Sequence, residues 1–179
     1  KLDVVEDVPR WEKPDGMSDE RWAQIEPMLS KLADEYPEVG LKGVKWIDPE
    51  ASSALATKDK DTILLNPDLW KSWTDEDWDQ RAEEFGKAHA LVDPSPAGVI
   101  AHEFGHILDG WILEQLADDP EARARYDAFH DRAKESVNAP STYAMDNGYE
   151  FAAETFAALV NGNHALGEDH PWDESIQQS

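Results

Sequence analysis

The stretch Val99-Ile-Ala-His102-Glu103-Phe-Gly105-His106-Ile-Leu108 places two histidines four residues apart in an otherwise apolar run. At about 100° per residue, a helix projects His102 and His106 from nearly the same side, with Glu103 one step around. Apolar residues on all other sides mean that such a helix, predicted over Ala97 to about Leu116, is largely buried. Buried imidazoles and a carboxylate need partners, and two imidazoles presented side by side suit a metal ion. Zn²⁺ accepts imidazole nitrogens at about 2.0–2.1 Å, and Glu103 is placed to face an attacking water as general base. Gly105 costs about 1 kcal/mol relative to Ala in a helix interior, so either another element passes close there or the loss is tolerated.

A catalytic zinc takes three protein ligands and keeps one position open. The chain has no cysteine, so every donor must come from His, Asp or Glu. The extended metzincin arrangement is excluded, because Asp109 stands where it needs Gly and Ile112 where it needs the last His. Asp109 lies one turn past His106; a contact supporting the site, or a cap before Gly110, is expected of it rather than ligation. Glu150 and Glu154, in Tyr149-Glu-Phe-Ala-Ala-Glu-Thr-Phe-Ala157, share one face of a second apolar helix predicted over Gly148 to Val160. Either acid suits the third position, and the other would then orient a ligand imidazole through its free N–H. Spacing does not choose between them. His89, His130, His164 and His170 are expected to be structural or solvent-exposed.

Further out, residues 1–17 are charged and broken by Pro9, Pro14 and Gly16, an irregular lead-in to one domain over 18–179. Ser18 caps a helix running to about Tyr36, in which Pro27 predicts a kink or two short helices. Gly40 to Ile47 reads as a strand. Thr62 to Leu65 follows the polar turn Lys58 to Asp61 and makes a hairpin plausible. Thr74 caps a helix to about Ala88 with Trp78, Ala82 and Phe85 on one face, Pro120 starts another to about Ser136, and Asn138 to Thr142 is a turn. The tail after Gly162 is polar, with Pro171 and Trp172 as docking points.

Apolar residues make up 40 % of the chain and Trp occurs 8 times, so it is not of the composition that stays disordered. Sixteen basic against 39 acidic side chains give a formal charge of −23. Such a surface repels phosphate backbones and anionic headgroups, which argues against nucleic-acid and membrane partners; the protein or peptide substrate expected here comes from the metal motif and not from the charge. No apolar run approaches the length of a membrane span. The compartment is undecided; with Lys1 rather than Met at the start, a fragment of a secreted or virion-associated parent is one expectation.

Tyr143-Ala-Met-Asp-Asn-Gly-Tyr-Glu150-Phe-Ala-Ala-Glu154-Thr-Phe, following His-Glu-Phe-Gly-His, resembles the zincin metallopeptidases of the gluzincin type that include the anthrax lethal factor catalytic domain and related phage- and toxin-associated proteins. The resemblance covers roughly residues 97–160. It implies an α+β, zincin-like fold: a small, mainly antiparallel sheet packed on the helix of His102 and His106, and a second helical lobe carrying the third ligand. It also implies that Glu150 is that ligand, that Glu154 supports a ligand histidine, and that Tyr143 is the phenol stabilising the tetrahedral oxyanion. Thr62-Ile-Leu-Leu-Asn-Pro67 is similar to the edge strand along which zincins hold extended substrates. The expected function is a zinc-dependent endopeptidase with Glu103 as base; the alternatives are a binding or virion-associated structural module with a non-catalytic zinc, and a self-processing maturation domain.

Overall fold

The structure, a computed structural model, describes residues 10–48, 50–52, 54–87, 93–131, 141 and 143–160, with the side chains of 85–87 and 143 outside that set. His89, His164, His170, Pro171, Trp172 and most of the Asn138–Thr142 turn therefore lie outside the described residues.

The protein is α+β. Helix α1 (Asp19–Glu35) begins where the Ser18 side chain accepts the Arg21 N–H at 3.1 Å, and it passes through Pro27 as one helix rather than two. A 3₁₀ turn, Pro37–Val39, leads to strand β1 (Gly43–Trp46), followed by β2 (Ala56–Asp59), β3 (Thr62–Leu65) and the short helix α2 (Pro67–Trp70). Helix α3 (Asp75–Lys87) starts in a reciprocal cap: Thr74 Oγ1 accepts the Asp77 N–H at 3.2 Å, and Asp77 Oδ2 accepts the Thr74 N–H at 2.8 Å. Helices α4 (Pro96–Gln115), α5 (Pro120–Asp131) and α6 (Gly148–Val160) complete the described elements, with a 3₁₀ turn, Tyr143–Met145, ahead of α6.

The sheet has the order β1-β3-β2, with β1 parallel and β2 antiparallel to β3. It is mixed, not mainly antiparallel. Thr62–Leu65, expected at an edge, is the central strand, and the edge beside α4 is Ala56–Asp59. Lys58 and Asp59 belong to that strand and not to the turn, which tightens to Lys60-Asp61 with Lys60 at φ 52°.

One face of the sheet supplies Val44, Ile63 and Leu65 to a core shared with Ile25, Leu29 and Leu32 of α1 and with Val99, Ile100, Phe104, Ile107 and Leu108 of α4. Trp11 and Met17, in the irregular segment before α1, are buried in the same core. Helix α6 lies across α4 and bridges two apolar clusters. Its Phe156 joins the main core, while Phe151 and Ala152 meet Phe129 of α5 and Ala144 in a smaller one. Gly105 sits at the crossing: a Cβ there would stand 2.8 Å from Ala153 Cα. Close helix approach, rather than tolerance, accounts for the glycine.

Candidate metal centre

The two crossing helices carry the site, and each is started by a local signal. Ser95 Oγ accepts the Gly98 N–H at 3.0 Å with Pro96 in the first turn of α4, and Asn147 Oδ1 accepts the Glu150 N–H at 2.9 Å at the start of α6. Glu150 is thereby held in the first turn of α6, facing the middle of α4.

His102 Nε2 lies 3.0 Å from Glu150 Oε2, and His106 Nε2 lies 3.2 Å from Glu150 Oε1. The rings are 4.9 Å apart and inclined at 79°, so both Nε2 atoms converge on one carboxylate. Donor atoms of His102, His106 and Glu150 all fall within 4.8 Å of one another, and the three side chains are only 12 %, 16 % and 16 % exposed. Glu154 takes a different place. Its Oε2 is 2.9 Å from His102 Nδ1, on the far side of the ring, and its Oε1 accepts from Ser141 Oγ at 2.8 Å. Ser141 Oγ in turn accepts the Ala144 N–H at 3.2 Å, tying the Tyr143–Met145 turn to the site. Tyr143 is in that turn, but its side chain lies outside the described residues.

Burial opposes a charged His102, yet its close contacts with Glu150 and Glu154 and the charges of Glu154 and Glu103 outweigh burial and push its pKa up to about 10. Burial likewise opposes a charged Glu150, but contacts with His102 and His106 prevail and lower it to about 2. Glu103 is 8 % exposed; burial raises its pKa, the charges of His102 and His106 oppose the rise, Glu150 adds to it, and Lys58 opposes it more weakly.

These residues could hold a metal ion. Two neutral imidazoles and a carboxylate form the borderline-soft N/O donor set that Zn²⁺ accepts, and donors on a tetrahedral ion with bonds of about 2.1 Å stand roughly 3.4 Å apart, close to the spacings seen. Glu150 Oε2 is buried and makes no hydrogen bond of acceptable geometry despite its closeness to His102, the condition of a lone pair aimed into a shared space.

Three features escaped the sequence reading. Asp109 neither caps nor ends α4; it is 3 % exposed and accepts from Tyr126 Oη and, at 2.8 Å, pairs with His130 Nε2, both on α5. Burial and the adjacent Asp109 hold the Tyr126 hydroxyl well above the usual phenol range. His130, expected to be structural or exposed, is the structural partner of this acid. A buried acid on an apolar helix signals that a partner exists, but not which one. Ser141 and Lys58 had no local signal, since each reaches the site through the tertiary fold. In comparisons with known protein families, curated proteins and solved structures, nothing matches this chain.

Proposed function

We propose that this α+β domain is a zincin-like, zinc-dependent endopeptidase in which His102, His106 and Glu150 hold the metal and Glu103 is the general base. The observation that carries the reading is the convergence of His102 Nε2 and His106 Nε2 on the two oxygens of Glu150, with Glu103 buried on the same helix one residue from His102. Neutral histidine is required for ligation, and the Glu154 carboxylate on His102 Nδ1 selects the tautomer whose Nε2 lone pair faces Glu150. When bound, zinc supplies a Lewis acid and lowers the pKa of water toward about 7.

Glu103 accepts a proton from the attacking water and returns it to the leaving amine nitrogen. Its raised pKa suits both halves of that task, because it makes the carboxylate a stronger base toward water and lets the carboxyl hold the proton until the amine takes it. Tyr143, two residues from Ser141, is the proposed donor to the tetrahedral oxyanion. The outer strand β2 beside α4 has one edge that pairs with no other described strand, along which an extended peptide can pair, so the substrate class is an unfolded or loop segment of protein.

Glu103→Gln decides the matter. The variant should bind one zinc per chain, measured by metal analysis after dialysis, while cleavage of a peptide library falls by about 10²–10⁴-fold. Undiminished cleavage would refute the role of Glu103. Zinc binding without cleavage in the wild-type protein would leave only a structural metal.

A further inference from the structure

Lys58 is the second residue of the outer strand to face α4. It stands opposite Ile63, which is fully buried, so its side chain leaves the sheet on the core side, where Ala56 precedes it opposite Leu65. The Lys58 ammonium lies beside the helix: Nζ is 3.8 Å from the position of a Cβ on Gly110. Gly110 follows His106 by four residues and His102 by eight, on the same face of α4. The charge is therefore displaced along the helix by about 6 Å from His106 and about 12 Å from His102, or about 9 Å from the point between them. Lys58 forms no hydrogen bond or ion pair with the described residues, although its charge reaches Glu103.

We propose that Lys58 selects a substrate carboxylate, either an acidic side chain or a chain terminus, two or three residues from the bond that is cut; this rests on the peptidase reading above. An extended peptide advances about 3.3 Å per residue, so a displacement of about 9 Å corresponds to two or three residues. The charge of the whole molecule sharpens the inference. A surface at −23 disfavours acidic peptides everywhere else, so a preference for a carboxylate at one position must come from a local cation. Outer strands also carry lysines simply to block pairing with other chains. Such a guard needs only to be exposed on the strand; it has no need of the helix-facing position beside a glycine.

The test compares zinc-loaded wild-type protein, Lys58→Met and Lys58→Glu on peptides carrying Glu or Gln at each of three positions on either side of the cleaved bond, with free and amidated C-termini. Ratios of kcat/KM are read, since any effect of Lys58 on Glu103 cancels in them. Binding of the same peptides to Glu103→Gln protein by fluorescence anisotropy is the second readout. Wild type should favour Glu over Gln roughly three- to tenfold at one position, Lys58→Met should bring the ratio to about one, and Lys58→Glu should invert it. A preference that tracks the free terminus instead identifies the terminal carboxylate as the source. A ratio unchanged in Lys58→Met overturns the proposal and leaves an edge guard, visible as aggregation of that variant. If no peptide is cut but Lys58-dependent binding persists, the peptidase reading fails and the carboxylate contact stands.

Discussion

Gly105→Ala tests the geometry on which the whole site depends. On helix propensity alone the change should stabilise α4 by about 1 kcal/mol. The new Cβ, however, would stand 2.8 Å from Ala153 Cα, 3.1 Å from Ala153 O and 3.2 Å from Phe156 Cβ. Ordinary contact begins at 3.4 Å, and the nearest atoms are backbone and cannot swing away, so α4 and α6 must part by about 0.6 Å. Overpacking of this kind costs about 1–3 kcal/mol, which leaves a net loss of roughly 0–2 kcal/mol. The site should suffer more than the fold. Ala153 lies between Glu150 and Glu154, so the displacement carries both acids away from contacts of 3.0, 3.2 and 2.9 Å. Metal–ligand distances tolerate only about ±0.2 Å. Zinc affinity should fall about 10–100-fold, or roughly 1.4–2.7 kcal/mol, in competition with a chromogenic chelator, while urea unfolding of the metal-free protein shows the smaller change. If Gly105→Ala gains stability and binds zinc as tightly as wild type, the helices do not cross this closely and the placement of Glu150 is wrong.

Glu154→Gln keeps an acceptor for Ser141 but removes the charge that orients His102; zinc affinity should drop about 10–100-fold with the far-UV circular dichroism unchanged, and an unaltered affinity would dismiss the orienting role. Asp109→Ala leaves the Tyr126 hydroxyl and His130 Nε2 without their buried acceptor and should cost about 2 kcal/mol or more in urea unfolding; a loss under about 0.5 kcal/mol would mean that the trio does not form. In chelator, stability should depend on pH with a defined sign. His102, raised from 6.5 to about 10, contributes fully below pH 6.5 and loses that contribution as pH climbs toward 10; Glu150, lowered from 4.5 to about 2, contributes fully above pH 4.5 and loses it as pH falls toward 2. The urea midpoint of the metal-free protein should therefore peak between those ordinary values, and His102→Ala should flatten the alkaline side. Zinc affinity, which competes with the His102 proton, should instead rise with pH over the neutral range.

The helices of the site were legible because their signals are local. The apolar run around His102 and His106 marks α4, and two acids four apart in an apolar segment mark α6 as a buried helix with a polar purpose, whereas the caps at Ser95 and Asn147 show only in the structure. The choice between Glu150 and Glu154 was not legible, since spacing places both on one face and only the crossing at Gly105 and Ala153 turns Glu150 toward both Nε2 atoms. The sheet misled for a related reason. Thr62–Leu65 is strongly apolar, but its central position follows from parallel pairing with Gly43–Trp46 across the intervening residues, for which no adjacent turn exists to be recognised. Lys58 and Asp59 of the outer strand Ala56–Asp59 read as part of a Lys58–Asp61 turn because both are charged, a composition that an outer strand bears and a central strand does not.

Charge balance within the site adds an argument independent of motif. With both histidines neutral, Glu103, Glu150 and Glu154 bring three carboxylates into one largely buried volume, and among the described residues the lysine and arginine charges that reach them are Lys58, at Glu103, and the half-buried Arg81, at Glu154. Born costs make such an excess untenable without compensation. In the protein alone the compensation is a proton: it is the carboxylates that drive His102 to a pKa of about 10 against the opposing effect of its burial. A divalent cation at the Nε2 atoms would meet the same excess while releasing that proton, so zinc uptake should acidify a weakly buffered solution by about one proton per ion near neutral pH. The same uptake by His102→Ala protein should release markedly less. Equal proton release from both proteins would show that the charge deficit is met elsewhere, and that the tilt of these side chains toward one another has another cause.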